Sequence, residues 1–201
     1  MNTRRQYALF IQQINTLSPW KLCAITTAIA EQSWPNFALF AELSGFGEPG
    51  EVRHCLNMLW DHVAGQQSAK NFERLIERIE NSTPDPKNFD MYGVQPALDT
   101  MVGINCALHC AMVPSEEEAA SAMTLSLNTI GKFIKYSEEP GLKGTELNQY
   151  IEQHPLYLTQ MDFIDELMEI LKTQKQPSNK AMKMIKQFAK NDGCSQLGIG
   201  V

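Results

Sequence analysis

Residues 95–113, which read QPALDTMVGINCALHCAMV, form the most apolar helical stretch of the chain. Apolar side chains surround most of this helix, whereas a helix at a protein surface is apolar along one stripe only. The stretch also contains Asp99, Asn105 and His109, which a membrane span tolerates poorly. We therefore predict that it is the buried central helix of a protein that has no membrane partner.

Helical periodicity continues through the rest of the chain. No run alternates apolar and polar residues over the length of a half-buried strand, so we predict an all-α fold of about nine or ten helices around the central helix. No repeat, low-complexity tract or flexible linker divides the sequence. We therefore predict a single compact domain over residues 1–193 and a C-terminal tail over residues 194–201.

Prolines and capping residues predict where the helices begin and end. Ser18 followed by Pro19 is a predicted start for the second helix. Pro35 is predicted to end that helix, because proline disfavours helical geometry in the residue before it. A short third helix would then end near Gly45. Three further N-caps are predicted later in the chain, at Ser115, Thr145 and Ser178.

The charge balance is acidic, with 17 Lys and Arg against 23 Asp and Glu and a net charge of −6 over 201 residues. Such a balance argues against a surface devoted to nucleic acid or anionic membrane. The exception is the segment after Leu171, in which six lysines oppose a single acidic residue, Asp192. Because no aromatic side chain is interleaved among the lysines of the predicted last helix, we expect no nucleic-acid partner.

The five cysteines are an odd number in a chain long enough to fold without disulfides. This pattern is typical of reduced thiols and predicts a cytoplasmic protein. Gly45, Gly47 and Gly50 have the spacing of a dinucleotide-binding loop, but they follow a predicted helix where that loop requires a strand. We therefore expect no cofactor.

Two motifs have the spacing of metal ligands. Glu51 and His54 match the unit that helical di-iron proteins use twice, but the chain has no second copy. On the central helix, Asp99, Cys106 and Cys110 fall on one stripe, which is compatible with a soft metal site or a redox pair. The alternative is structural, because small cysteines let a neighbouring helix approach closely. We favour the structural interpretation and predict no metal site.

Several segments carry a family resemblance. They are LSPW at residues 17–20, WPNFALF at 34–40, SGFG at 44–47, WD at 60–61, NFE at 71–73 and FDMYGVQPALD at 89–99. In this order they resemble the YjaG-like family of small bacterial proteins, a family of unknown function. The resemblance covers most of the chain and is densest over residues 17–99. It implies an all-helical cytoplasmic bacterial protein and transfers no catalytic residue.

Five polar residues in or near these segments are candidate ligand-binding residues. They are Glu31, Asn36, Asp90, Tyr92 and Asp99. We hypothesise that they share one groove between helices. The alternative, which we favour, is that they cap helices and close loops, as Asp and Asn often do. Asp99 is the exception on the central helix, because a carboxylate on the most apolar helix needs a partner or a shifted pKa.

Two classes of function fit these observations. The favoured one is a non-enzymatic helical protein that acts through a protein partner or as a homo-oligomer. The other is an enzyme or a small-ligand or metal-binding protein that uses the groove near Asp90, Tyr92 and Asp99. A deep pocket with converging carboxylates would favour the second class, whereas a broad apolar surface would favour the first.

Overall fold

A computed structural model describes residues 3–138 and 140–200 of the protein. Those residues form nine α-helices and no β-strand, which confirms the predicted all-α fold. The helices are α1 (Thr3–Ile14), α2 (Pro19–Ser44), α3 (Pro49–Val63), α4 (Phe72–Asn81), α5 (Val94–Met112), α6 (Glu116–Glu138), α7 (Gly144–Gln153), α8 (Pro155–Thr173) and α9 (Asn179–Ala189). Among these helices, none combines the length and the apolar character that crossing a bilayer requires.

The predicted central helix is α5, and it shares the centre of the fold with α2. Most side chains of both helices are buried, and the two helices pack against each other along their lengths. The first half of α2 contributes to a core formed with α1, α6, α8 and α9. Its second half contributes to a core formed with α3, α4 and α5. The two cores are therefore joined through α2 into one domain.

The predicted break at Pro35 is wrong, because α2 continues through this residue from Pro19 to Ser44. Proline removes one helical N–H donor and opposes helical geometry in the preceding residue. Here burial on both sides of the proline, including Ile29 and Phe37, holds the helix together. Tertiary packing thus overrides the local preference, and the predicted second and third helices are one.

The predicted caps hold to different degrees. Gly45 ends α2 in the left-handed conformation, with φ of 67°, and donates its N–H to the carbonyl of Ala41. The Ser178 hydroxyl accepts the N–H of Ala181 at the start of α9, as predicted. The cap predicted at Thr145 is wrong, because α7 already begins one residue earlier, at Gly144.

The C-terminal residues fold back onto the helices. Helix α9 ends at Ala189, and a single 3-10 turn over Asn191–Gly193 follows it. Leu197 then packs in the core that contains α1 and α6. Gln196 is also buried and accepts a hydrogen bond from the side-chain amide of Asn36 in α2, at 3.2 Å. The last described residues therefore contribute to the packing of the domain.

Candidate functional site

Glu31 is buried in α2 and has three hydrogen bonds. Both terminal nitrogens of Arg53 in α3 donate to its carboxylate, one of them at 2.9 Å. The indole nitrogen of Trp60 donates to the same carboxylate at 2.9 Å. The Arg53 guanidinium also lies over the ring of Trp34, 5.4 Å from its centroid. This arrangement neutralises the Glu31 charge and joins α2 to α3.

Asn36 lies five residues further along α2, where its side chain bonds to Gln196. Its amide nitrogen is the donor in that bond. Its carbonyl oxygen is buried and has no hydrogen-bond partner among the residues that the structure describes. Asn36 therefore joins α2 to the C-terminal segment.

Asp99 and Tyr92 are the two predicted residues that the structure brings near each other. Asp99 in α5 accepts hydrogen bonds from the Thr129 hydroxyl at 2.8 Å and from the Lys132 ammonium at 2.9 Å, both in α6. The Tyr92 ring stacks on Tyr136 of α6 at a centroid distance of 3.9 Å. Both residues thus attach the start of α5 to the second half of α6.

The five predicted residues therefore have separate sets of partners. Glu31 bonds to α3, Asn36 bonds to the C-terminal segment, and Asp99 with Tyr92 contacts α6. Asp90 is exposed in the loop before α5. The carboxylates of Glu31 and Asp99 are paired with cations rather than with helix N-termini. The buried carboxylates of Glu31 and Asp99 therefore serve to join helices.

Tyr92 is expected to make the protein less stable at alkaline pH. Burial raises the pKa of Tyr92 to about 12, and Asp99 and Tyr136 contribute further. An unfolded tyrosine titrates near pH 10, so between pH 10 and 12 the unfolded chain loses a proton that the folded chain keeps. The free energy of unfolding must then fall as the pH rises through this window.

The variant Tyr92→Phe tests this dependence through urea denaturation between about pH 9 and pH 11. We expect a smaller alkaline loss of stability in the variant than in the parent protein. A residual loss should remain, because burial raises the pKa of Tyr157 to about 12 as well. Identical pH profiles for the variant and the parent would contradict the assignment.

A large opening on the protein lies in a different place, between α1, α5 and α6. This opening, which we call the α6 groove, is an open cavity of about 420 Å³. It is lined by Thr3, Arg4, Tyr7, Val102, Cys106, Ser121, Thr124, Leu125 and Asn128. Volumes of this size are typical of pockets for small organic molecules.

Helical spacing explains why these side chains face one another. Val102 and Cys106 are one turn apart on α5, and Ser121, Leu125 and Asn128 follow one face of α6. Helix α1 packs across α6, with Phe10 and Ile14 fully buried, and its first turns form the third wall. The groove is therefore a trough along α6, which packs against both α1 and α5 elsewhere along its length.

Two groups on the walls decide the chemistry that the groove supports. Burial raises the pKa of the Cys106 thiol to about 12, and the neighbouring Glu118 carboxylate adds to the shift. Cys106 is thus a neutral thiol at physiological pH rather than a nucleophilic thiolate. The Thr124 hydroxyl is buried and has no hydrogen-bond partner in the described part of the chain. An unpartnered buried hydroxyl costs free energy, which a ligand group bonded to it would recover.

A second cavity continues the groove toward the C-terminal end of α6. This opening, which we call the lysine cavity, has a volume of about 290 Å³ and shares Thr3, Leu125 and Asn128 with the first. Its other wall residues are Gly131, Lys132, Lys135, Leu147, Asn148 and Ile151. The two cavities thus adjoin along α6, and together they outline a path with an apolar end at Val102 and Cys106 and a basic end at Lys135.

The motifs with metal-ligand spacing have other partners. Glu51 forms an ion pair with Arg78 of α4 at 2.7 Å. The Cys110 sulfur lies 3.9 Å from that of Cys23 in α2, where both side chains are buried. Among residues 3–138 and 140–200, no three His, Cys, Asp or Glu side chains are grouped as metal ligands would be.

Cys106 was identified from the sequence as a possible ligand of a soft metal, but the groove that it lines was not predicted. The available signals were the small polar residues along α6, whereas the exposure of Val102 on the mostly buried α5 is visible only in the structure. These signals do not reveal a cavity, because its volume depends on how far apart the three helices pack. Periodicity predicts which face of a helix is buried and not the gap between two faces.

Comparisons with known proteins all indicate the same protein family. The sequence model of the family described as "Protein of unknown function (DUF416)" matches residues 9–200. The uncharacterized protein YjaG of Escherichia coli K12 is 23% identical over 189 residues, which covers 93% of this chain and 94% of that protein. An uncharacterized protein of Haemophilus influenzae is 26% identical over 191 residues, which covers 94% of this chain and 95% of that protein.

The fold is also similar to that of a solved structure. The crystal structure of a DUF416 family protein from Shewanella baltica, at 1.91 Å resolution, matches with a TM-score of 0.88 and 26% sequence identity. The match covers 96% of this chain and 98% of that one. The resemblance found in the sequence is therefore confirmed, and the chain belongs to the DUF416 family.

Proposed function

We propose that this protein binds a small organic molecule with an apolar body in the α6 groove. The observation that carries the proposal is the open cavity of about 420 Å³ between α1, α5 and α6. Val102, Cys106 and Leu125 supply apolar surface for the body of a ligand. Burying apolar surface is the main favourable contribution to binding in a pocket of this kind.

Polar groups around the groove would fix the orientation of the ligand. Ser121, Asn128 and Arg4 line the cavity and carry hydrogen-bonding side chains. The Thr124 hydroxyl supplies a further group that becomes available if its side chain rotates. A few polar groups on mainly apolar walls are typical of ligand pockets, because they give specificity without a large desolvation cost.

The titratable groups on the walls of the α6 groove support ligand binding better than catalysis. Burial and Glu118 hold Cys106 in its thiol form. Burial, together with Glu117 and Glu118, raises the pKa of Tyr7 above its ordinary value. Both groups therefore keep their protons at neutral pH, whereas a general base or a nucleophile must be able to lose one.

Protein partner binding or self-association, the function favoured by the sequence, has weaker support. Eight large apolar side chains are exposed among the described residues, at Leu9, Leu43, Val102, Val113, Tyr136, Tyr150, Leu158 and Met184. Seven of them lie on seven different helices, and Val113 lies just beyond the end of α5. Apolar residues scattered singly are normal on a monomer, whereas a binding face usually presents a continuous patch.

A neutral fluorescent probe tests the proposal on the full chain. N-phenyl-1-naphthylamine should bind saturably and in equimolar amount, with enhanced fluorescence. The variant Leu125→Trp fills the groove and should weaken probe binding by at least about tenfold, because the bulk displaces the probe. Leu158→Trp is the matched control on the exposed face of α8 and should leave binding unchanged.

Folding of the groove variant must be established by circular dichroism and thermal denaturation. Val102→Trp provides a second test, because Val102 is 42% exposed and should accept a larger side chain without loss of the fold. If the probe binds equally well to both folded groove variants, the α6 groove is not the binding site. Failure of the parent protein to bind the probe saturably would also refute the proposal.

A further inference from the structure

We infer that the ligand is a linear carboxylate whose chain lies in the α6 groove and whose head group lies in the lysine cavity. The inference rests on the proposed function and specifies its ligand. It follows from the adjacency of the two cavities, which share Thr3, Leu125 and Asn128 on their walls. A molecule that fills the first cavity therefore lies directly beside the second.

The shape of the path favours an elongated occupant. Leu125 and Lys135 both lie on α6 and are separated by ten positions, which corresponds to about 15 Å along a helix. The wall between them includes Asn128 and Gly131, of which Gly131 has no side chain to close the path. A compact ring system would occupy one cavity only, whereas a linear chain can occupy both.

The charges along α6 determine which end carries the head group. The helix begins with Glu116, Glu117 and Glu118, and Glu118 acts on Cys106 at the apolar end of the path. Lys132 and Lys135 line the other end. The three carboxylates at the start of α6 outnumber Arg4 on the groove wall and disfavour an anionic group there, whereas the two lysines attract one near the end of the helix.

Lys135 is the better anchor of the two lysines. Lys132 already donates to the Asp99 carboxylate at 2.9 Å and 3.0 Å. Asp99 neutralises much of its charge and holds the ammonium group on the side of α5. Lys135 is exposed on the wall of the lysine cavity. An arriving carboxylate would therefore pair with Lys135 without breaking the Asp99 contact.

Competition between ten-carbon molecules that differ only in their head group tests whether the ligand is a carboxylate. Decanoate, decan-1-ol and decylamine are titrated into the protein saturated with N-phenyl-1-naphthylamine. We expect decanoate to displace the probe at roughly fivefold lower concentration than decan-1-ol, because it adds one ion pair at a partly exposed site. Decylamine should be the weakest competitor.

The variant Lys135→Gln should remove the advantage of decanoate and leave displacement by decan-1-ol unchanged. Lys175→Gln, which makes the same charge change on an exposed residue outside the cavities, is the control and should retain the advantage. Raising the salt concentration should weaken decanoate alone.

The outcomes separate this inference from the function on which it rests. If decan-1-ol competes as well as decanoate, the carboxylate assignment is refuted while the groove remains the binding site. If Lys135→Gln retains the full advantage of decanoate, the assigned position of the head group is refuted. If none of the ten-carbon molecules displaces a probe that Leu125→Trp excludes, the linear-chain assignment fails although the groove binds the probe. If the probe itself does not bind, the proposed function fails.

Discussion

Glu31→Leu is expected to lower the free energy of unfolding by about 3 kcal/mol, which is at the lower end for breaking a buried ion pair. The substitution removes the acceptor for both Arg53 and Trp60. The Trp60 indole N–H, which is largely buried, loses its partner, and the Arg53 guanidinium loses its counter-charge. The Arg53 side chain is 28% exposed, so water compensates part of the loss and places the effect at that lower end.

A matched pair on the surface provides the control for this prediction. Glu51 and Arg78 also form an ion pair between two helices, but both side chains are about half exposed. Glu51→Leu should therefore change stability by less than about 1 kcal/mol. Urea denaturation of both variants measures the difference. Equal effects at Glu31 and Glu51 would show that the buried pair does not hold α2 against α3.

Truncation after Gly193 is expected to destabilise the protein by about 3 kcal/mol. Loss of the buried Leu197 side chain costs roughly 2 kcal/mol, and its side chain is only 7% exposed. The truncation also removes Gln196, which is the acceptor for the Asn36 amide. A buried amide that loses its partner costs about 1 to 3 kcal/mol. We expect the lower end of that range for the Asn36 amide.

The variant Gln196→Ala separates the two contributions to this loss. It retains Leu197 and should therefore account for only the part that the Asn36 hydrogen bond supplies, about 1 kcal/mol. Thermal or urea denaturation of the truncated and substituted proteins gives the comparison. A truncated protein as stable as the parent would mean that the C-terminal segment does not contribute to the core.

Much of the fold follows from local patterns in the sequence. The apolar character of residues 95–113 predicts the buried helix α5, and the Ser178 cap predicts the start of α9. Pro35 shows where local patterns fail. Its effect on the backbone is real, but the burial of Ile29 and Phe37 outweighs it. Only the three-dimensional packing of α2 between two sets of helices makes that outcome visible.

The partners of the buried polar residues could not be predicted in the same way. Asp99 was expected to need a partner, and Lys132 with Thr129 supplies it from another helix. Asn36 bonds to Gln196, which is 160 positions later in the sequence. One sequence contains many residues able to form such bonds, and only the helix arrangement selects among them. The α6 groove escaped prediction for the same reason, because it is a gap between helices.

The most direct test of ligand binding in the α6 groove is a crystal structure of the full chain with decanoate. The account predicts continuous density for the chain between Val102 and Leu125 and for the carboxylate beside Lys135. Decanoate bound elsewhere on the protein, with the groove empty in a crystal that leaves it open to solvent, would contradict the account.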